Sequence, residues 1–195
     1  MKYKTLIFDF DGTIADTHET ILNTMRFMAE ILNIDIIDEE QIKKRIGLPL
    51  EITFREVFLL DEKKINNAII DYRNYYNNVA IDSVSFFSDV KNTLSEIYNN
   101  GITMAIASSR GKDSLINILK RQQVYNLFTF IGGEEDVKNK KPAPDIVNRI
   151  LDACNCSPND CLVVGDTVFD IKMGQQAKTD TCGVTYGYNA RVQLV

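Results

Sequence analysis

The sequence predicts an α/β protein: a doubly wound parallel sheet, Rossmann-like in its alternation, with an all-helical block inserted after the first strand. Three observations predict it. From residue 86 onward, apolar strand-like runs alternate with segments of helical period, and such alternation means a parallel sheet with helices on both faces. Residues 15–80 carry no strand pattern. The apolar run at residues 3–10 stands alone before that block, and a single strand is not stable beside a helical bundle, so it belongs with the later strands.

The elements follow in order. Residues 3–10 read as a buried strand. Asp16 and Thr17 look like capping residues for a helix over His18–Asn33, whose apolar positions Ile21, Leu22, Met25, Met28, Ala29 and Leu32 recur at three and four. Helical pattern continues over Glu39–Ile46, Glu51–Leu59 and Glu62–Asn78, broken by the loop Ile46-Gly47-Leu48-Pro49-Leu50. Next come a helix over Phe86–Asn99 ending before Gly101, a strand at Ile102–Ala107, a helix at Lys112–Gln122 and a short strand at Leu127–Ile131. The chain closes with a helix at Ala143–Cys154, a strand at Cys161–Gly165, a helix at Phe169–Gln176 and a strand at Thr181–Thr185. The predicted organisation is an α/β core of residues 1–14 and 84–195, with a helical cap of residues 15–83 joined near 14–17 and 79–86.

Composition narrows the function classes. The 195 residues are 45% hydrophobic and 25% charged with a formal net charge of −5, ordinary for a globular protein. No basic block stands out, which argues against nucleic acid as a partner. No apolar run reaches about 18 residues and no charged-then-apolar leader opens the chain, so neither a membrane span nor a signal peptide is expected. Cys154, Cys156, Cys161 and Cys182 lack a metal-ligand spacing and the sole histidine is His18. A reduced, cytoplasmic protein, monomeric or weakly dimeric, is the expectation.

Four pieces fall at or just after strand ends. The first is Asp9-Phe10-Asp11-Gly12-Thr13: two carboxylates one residue apart, followed by a glycine that lets the backbone turn away. Like charges that close raise each other's pKa unless a cation intervenes, and the C-terminal ends of parallel strands are where open α/β sheets keep ligands. The second is Ser108-Ser109-Arg110, after Met104–Ala107. The third is Lys140-Lys141-Pro142-Ala143-Pro144-Asp145. The fourth is Val163-Val164-Gly165-Asp166-Thr167-Val168-Phe169-Asp170.

In this order the four pieces resemble the motifs of the haloacid dehalogenase-like hydrolase superfamily in its phosphatase form, and the resemblance covers essentially the whole chain. It implies phosphoryl transfer, which needs a nucleophile, a cation and donors to the phosphate oxygens. By that resemblance Asp9 would attack phosphorus and form an aspartyl-phosphate. Asp11 would protonate the leaving oxygen and then take a proton from water. Asp9 and Asp166 would hold Mg²⁺ with the backbone carbonyl of Asp11, and Asp170 would orient the metal waters or Lys141 from behind. Ser108 and Lys141 would bind the phosphoryl group, with backbone N–H groups near Gly12 and Ser109. The loop Gly47-Leu48-Pro49-Leu50 is similar to the cap loop of phosphoglycolate phosphatase-like members and would carry specificity.

The substrate implied is a small phosphorylated metabolite, a phosphoglycolate-like monoester or pyrophosphate. Mutase relatives of the β-phosphoglucomutase type carry a histidine at the position of Ile21; a mutase is the alternative reading. A phospho-accepting receiver domain is more remote, because receivers place the acceptor on a middle strand and lack a cap.

Overall fold

The computed structural model describes residues 2–35 and 38–194. Its main sheet has five strands: β1 (Thr5–Phe8), β4 (Thr103–Ala107), β5 (Phe130–Gly132), β6 (Cys161–Gly165) and β7 (Asp180–Gly183), in the order β5-β4-β1-β6-β7. All four pairings are parallel. The chain builds outward from β1 to β4 and β5, then returns to the other side of β1 for β6 and β7. The strand order therefore reverses beside β1, the place where such sheets open a crevice at their carboxyl ends.

The strand sequences account for the layers. Side chains alternate faces along a strand, and both faces of a parallel sheet are covered. Ile7, Ala105, Ala107, Cys161 and Val163 pack under α7 (Asp145–Ala153) and α8 (Val168–Gln176) through Ile146, Val147, Ile150, Leu151 and Met173. Phe8, Met104, Ile106 and Val164 face the other way, toward Leu94 of α5 (Val90–Asn99) and Leu115, Ile118 and Leu119 of α6 (Lys112–Arg121).

Between the first strand and α5 lie α1 (His18–Ile31), α2 (Glu39–Lys43), α3 (Leu50–Glu56) and α4 (Glu62–Asn78). Their apolar faces, including Ile21, Met25, Ile42, Phe54, Ile65 and Tyr76, join the same cluster as Phe8 and Phe10. Several elements differ from the sequence expectation. Ala15–Asp16 forms a two-residue strand, β2, antiparallel to β3 (Ser85–Phe86), so strands flank the helical block at both ends. Two residues are too few to show a period. Consequently α5 begins at Val90, not at Phe86. The strand expected from Leu127 starts at Phe130, after a 3₁₀ turn over Tyr125–Leu127. Cys182, read as lying in an apolar strand, is exposed because β7 is the sheet edge. No helix among the described residues is long and apolar enough to cross a membrane.

Candidate active site

Register places the acids. Phe8 stands opposite Ile106 on β4 and Val164 on β6, so Asp9, Ser108 and Asp166 leave the three central strands within one residue of each other. Asp9, Asp166 and Asp170 converge, each offering a carboxylate oxygen within 4.8 Å of the others, and all three are buried. Lys141 reaches into this group: its Nζ donates to Asp9 Oδ1 at 2.5 Å and to Asp170 Oδ1 at 2.6 Å. The neighbouring Lys140 turns elsewhere and donates to Glu134 at 3.0 Å. The path between β5 and α7 thus sends two adjacent lysines to different partners.

Hydroxyls and backbone hold the acids in place. Asp170 Oδ2 accepts from the Thr167 hydroxyl at 2.6 Å and its N–H at 3.0 Å. Asp166 accepts from the Thr13 hydroxyl at 3.1 Å and from the Tyr188 N–H at 2.7 Å. Gly12 has φ +87° and a Cβ there would run into Asp166 and Tyr188, so its lack of a side chain is required both for the turn and for this close approach.

The electrostatics call for a further cation. Three buried carboxylates face one ammonium, a net of −2 if all are ionised. Burial, and then the charges of Asp170 and Asp166, push the Asp9 carboxyl well up against the pull of Lys141. Burial pushes Asp166 up to about 7. Burial also works against the charge on Lys141, but the charges of Asp170 and Asp9 outweigh it and raise its pKa. An unrelieved cluster of oxygen ligands suits a hard divalent cation, so the residues present fit one.

Asp11 has a separate environment. Its two oxygens accept from Arg110, Nη2 to Oδ1 at 2.6 Å and Nε to Oδ2 at 3.0 Å, and Oδ1 also accepts from the Thr17 hydroxyl at 2.7 Å. The expectation that Thr17 caps α1 is therefore corrected: it stands at the cap position but makes no side-chain cap bond, because its hydroxyl is committed to Asp11 and Tyr188. His18 begins α1 and stacks on Tyr188, with ring centroids 5.5 Å apart.

A cavity of about 160 Å³ opens over Asp9 and Asp11, walled by Ser108, Ser109 and Arg110 on one side and by Gly47, Leu48 and Leu50 on the other. Pro49 and Gly12 are outside its lining. The Ser108 hydroxyl accepts from the Arg110 N–H at 3.1 Å, and the Ser109 hydroxyl donates to the Gly47 carbonyl at 2.7 Å. A Cβ at Gly47, whose φ is +94°, would meet Thr167 and Phe169, so the loop of the helical block lies close over the sheet's carboxyl end. Tyr72 and Tyr76 of α4 are buried and line this cavity.

Sequence reasoning assigned no role to Arg110, Thr13, Thr167 or Tyr188. The available signals were a guanidinium directly after Ser108-Ser109 in an acid-rich site, and hydroxyls one or two positions from each acid. Tyr188 offered none, since its contact is a backbone N–H.

The geometry defines a hydrolase of the haloacid dehalogenase class, and comparison with known proteins agrees. The chain belongs to the haloacid dehalogenase-like hydrolase family, whose sequence pattern matches residues 6–184. It is similar to pyrophosphatase PpaX of Bacillus cereus (strain Q1), with 28% identity over 194 residues covering 100% of this chain and 88% of that protein. A haloacid dehalogenase-like hydrolase from Bacteroides fragilis superposes with a TM-score of 0.94 at 26% identity, covering 99% of this chain and 92% of the other. A β-phosphoglucomutase from Clostridium difficile shares the fold, with a TM-score of 0.81 at 24% identity over 93% of this chain and 84% of the other. Within the family this chain is an enzyme of the phosphatase type.

Proposed function

We propose that this chain is a Mg²⁺-dependent phosphatase acting on a small phosphorylated metabolite, a phosphoglycolate-like monoester or pyrophosphate, through an aspartyl-phosphate on Asp9. The observation that carries the reading is the state of Asp9. Its Oδ1 is tied to Lys141, while Oδ2 accepts no hydrogen bond among the described residues, and the residue borders the cavity. Oδ2 would attack phosphorus as the bond to the leaving oxygen breaks. Asp11 would give that oxygen a proton, then remove one from the water that releases phosphate from Asp9. Ser108 and backbone N–H groups near Gly12 and Ser109 would donate to the phosphoryl oxygens, and Lys141 would balance the charge of Asp9. Asp9, Asp166 and the Asp11 carbonyl would hold Mg²⁺, which when bound supplies Lewis-acid stabilisation of the phosphoryl charge.

In this proposal residues 15–83 act as a cap on a core of residues 1–14 and 84–195, closing over substrate and excluding water. The setting proposed is the cytoplasm, with no nucleic acid or membrane partner, as a monomer or weak dimer. Ile21 lines the cavity and cannot relay a proton, which favours a phosphatase over a mutase.

Chelation by EDTA should abolish turnover, and Mg²⁺ should restore it. At about a hundred times its Kd the ion should stabilise the fold by about 2.7 kcal/mol, a melting shift of roughly 5–10 °C for a chain of this size. The shift should depend on pH. Asp166 titrates at about 7 in the folded protein and near 3.9 in an unfolded chain. Between those values the folded metal-free protein holds a proton that the unfolded chain has lost, so the stability from this group is full below about 4 and lost as pH rises to about 7. Mg²⁺ needs the ionised carboxylate, so its melting shift should be larger at pH 8 than at pH 6. Full activity in chelated protein would defeat the metal assignment.

The loop Gly47–Leu50 should set substrate preference. Leu48→Ala/Leu50→Ala should reorder kcat/KM among phosphoglycolate, pyrophosphate and sugar phosphates, while p-nitrophenyl phosphate, held mainly by its phosphoryl group, should suffer less. A uniform loss would assign the loop to closure alone.

A further inference from the structure

Arg110 is a buried cation in the wall of the cavity, its side chain 7% exposed. Its guanidinium lies over the Tyr76 ring at 4.3 Å and donates to Tyr76 Oη and Ser114 Oγ, both at 3.1 Å. Its one carboxylate partner is Asp11, gripped in a two-point fork. That grip conflicts with the role proposed for Asp11. Oδ1 accepts from both Arg110 and Thr17 and Oδ2 from Arg110, so the fork fixes the direction of Asp11 and leaves only one side of Oδ2 open. A ligand that drew the guanidinium away would free Asp11 to turn toward the leaving oxygen, and a planar fork is best satisfied by another carboxylate or phosphate.

Two further features point to a polar ligand of limited size. Asn77 Oδ1 and Arg73 Nε are buried without hydrogen-bond partners among the described residues, and both residues line the same cavity; unmet polar atoms of this kind are uncommon in folded proteins and costly. The volume of about 160 Å³ is close to that of the roughly 150 Å³ cavity that accepts benzene. The phosphoryl group and its leaving group would share this space, which favours a small substrate. Ile21, Met25 and Ile42 wall the remainder with apolar surface.

We propose that Arg110 reads a negative charge on the leaving group: an anionic substrate takes over the fork that Asp11 occupies in the free protein, and so releases Asp11 to act on the leaving oxygen. The inference rests on the phosphatase reading above and names its substrate class, small phosphoryl compounds whose leaving group is itself a carboxylate or a phosphate. It makes Arg110 a specificity residue that also controls the availability of Asp11.

The test uses the full chain with Mg²⁺ and three small probes: phosphoglycolate and pyrophosphate, whose leaving groups are anionic, and ethyl phosphate, whose leaving group is neutral. Arg110→Gln should lower kcat/KM for the anionic probes relative to ethyl phosphate by about tenfold to a hundredfold, the range for hydrogen bonds to a charged group. Arg110→Lys, which keeps the charge and loses the fork, should fall between and carries the test if the glutamine variant does not fold. The larger loss, on phosphoglycolate or on pyrophosphate, tells a carboxylate from a phosphate. Calorimetric binding of the same probes to Asp9→Asn, with and without Arg110→Gln, should show the same selective loss without turnover. Equal losses for all three probes, or an unchanged ratio, would overturn the proposal and leave Arg110 as a tie between α4 and the sheet. Failure of the parent protein to turn over any phosphate compound would count against the phosphatase reading instead, while the binding measurement still decides the role of Arg110.

Discussion

Asp9→Asn should abolish turnover of every phosphate ester, including p-nitrophenyl phosphate, whose leaving group needs no proton. An amide oxygen is a poor nucleophile, and among the acids at the strand ends only Asp9 combines a free oxygen with a place in the cavity lining. Asp11 accepts from Arg110 at both oxygens, and Asp166 and Asp170 lie outside the lining. Asp11→Asn should behave differently. In the proposed mechanism it would remove a proton shuttle worth roughly 10²–10⁴-fold, so turnover of alkyl esters should fall by about that much. An activated ester should still phosphorylate Asp9, and the phosphoenzyme should accumulate because the water lacks its base. Acid-quench trapping with labelled substrate would show it. Near-normal activity of Asp9→Asn would remove Asp9 from the mechanism.

Lys141→Met should damage stability and activity together. Lys141 is buried, and it is the only lysine or arginine among the described residues that contacts Asp9 or Asp170. Taking it away leaves two buried carboxylates facing each other without a cation, and breaking a buried ion pair from one side costs about 3–5 kcal/mol. For a chain of this size that lowers the melting temperature by roughly 6–20 °C. Adding Asp170→Asn should return much of the lost stability, since it removes one of the stranded charges. Activity should stay low, because the partner of Asp9 is still missing. Thermal melts and turnover of the single and double variants separate the two effects. A Lys141→Met protein that melts and turns over like the parent would show that Lys141 balances neither acid.

The short contacts explain why the site was only partly legible beforehand. Each acid ends or follows an apolar run, so its position at a strand end is a local property of the chain. The partners are not local. Asp9 meets Lys141 across 132 residues, and Asp11 meets Arg110 across 99. No periodicity encodes such a pairing, which depends on strand order and on the path of the loops. Asp9 and Asp11, one residue apart on strand and turn, look like a single repelling pair in sequence. In the fold they face different directions, and each has its own cation.

Thr17 teaches the same point at short range. A threonine before a helical run is a good cap by propensity, yet its hydroxyl goes to the partly buried carboxylate of Asp11, where a hydrogen bond is stronger because its acceptor is charged. The paired strands Ala15–Asp16 and Ser85–Phe86 were hidden for a different reason: each is shorter than one alternation, and their partnership closes a loop spanning the whole helical block.

The sequence by itself determined the α/β class, the parallel sheet, the helical segment after the first strand and the placing of Asp9, Ser108 and Asp166 at strand ends. All of these follow from alternation of apolar residues, helical period and turn residues, which act within a few positions. Only the tertiary structure decided that Lys140 turns away to Glu134, that Arg110 holds Asp11, and that Tyr72, Tyr76 and Asn77 line the cavity. Those outcomes depend on burial and on charge compensation between distant segments, and neither exists until the strands have taken their order and the helices have packed across them.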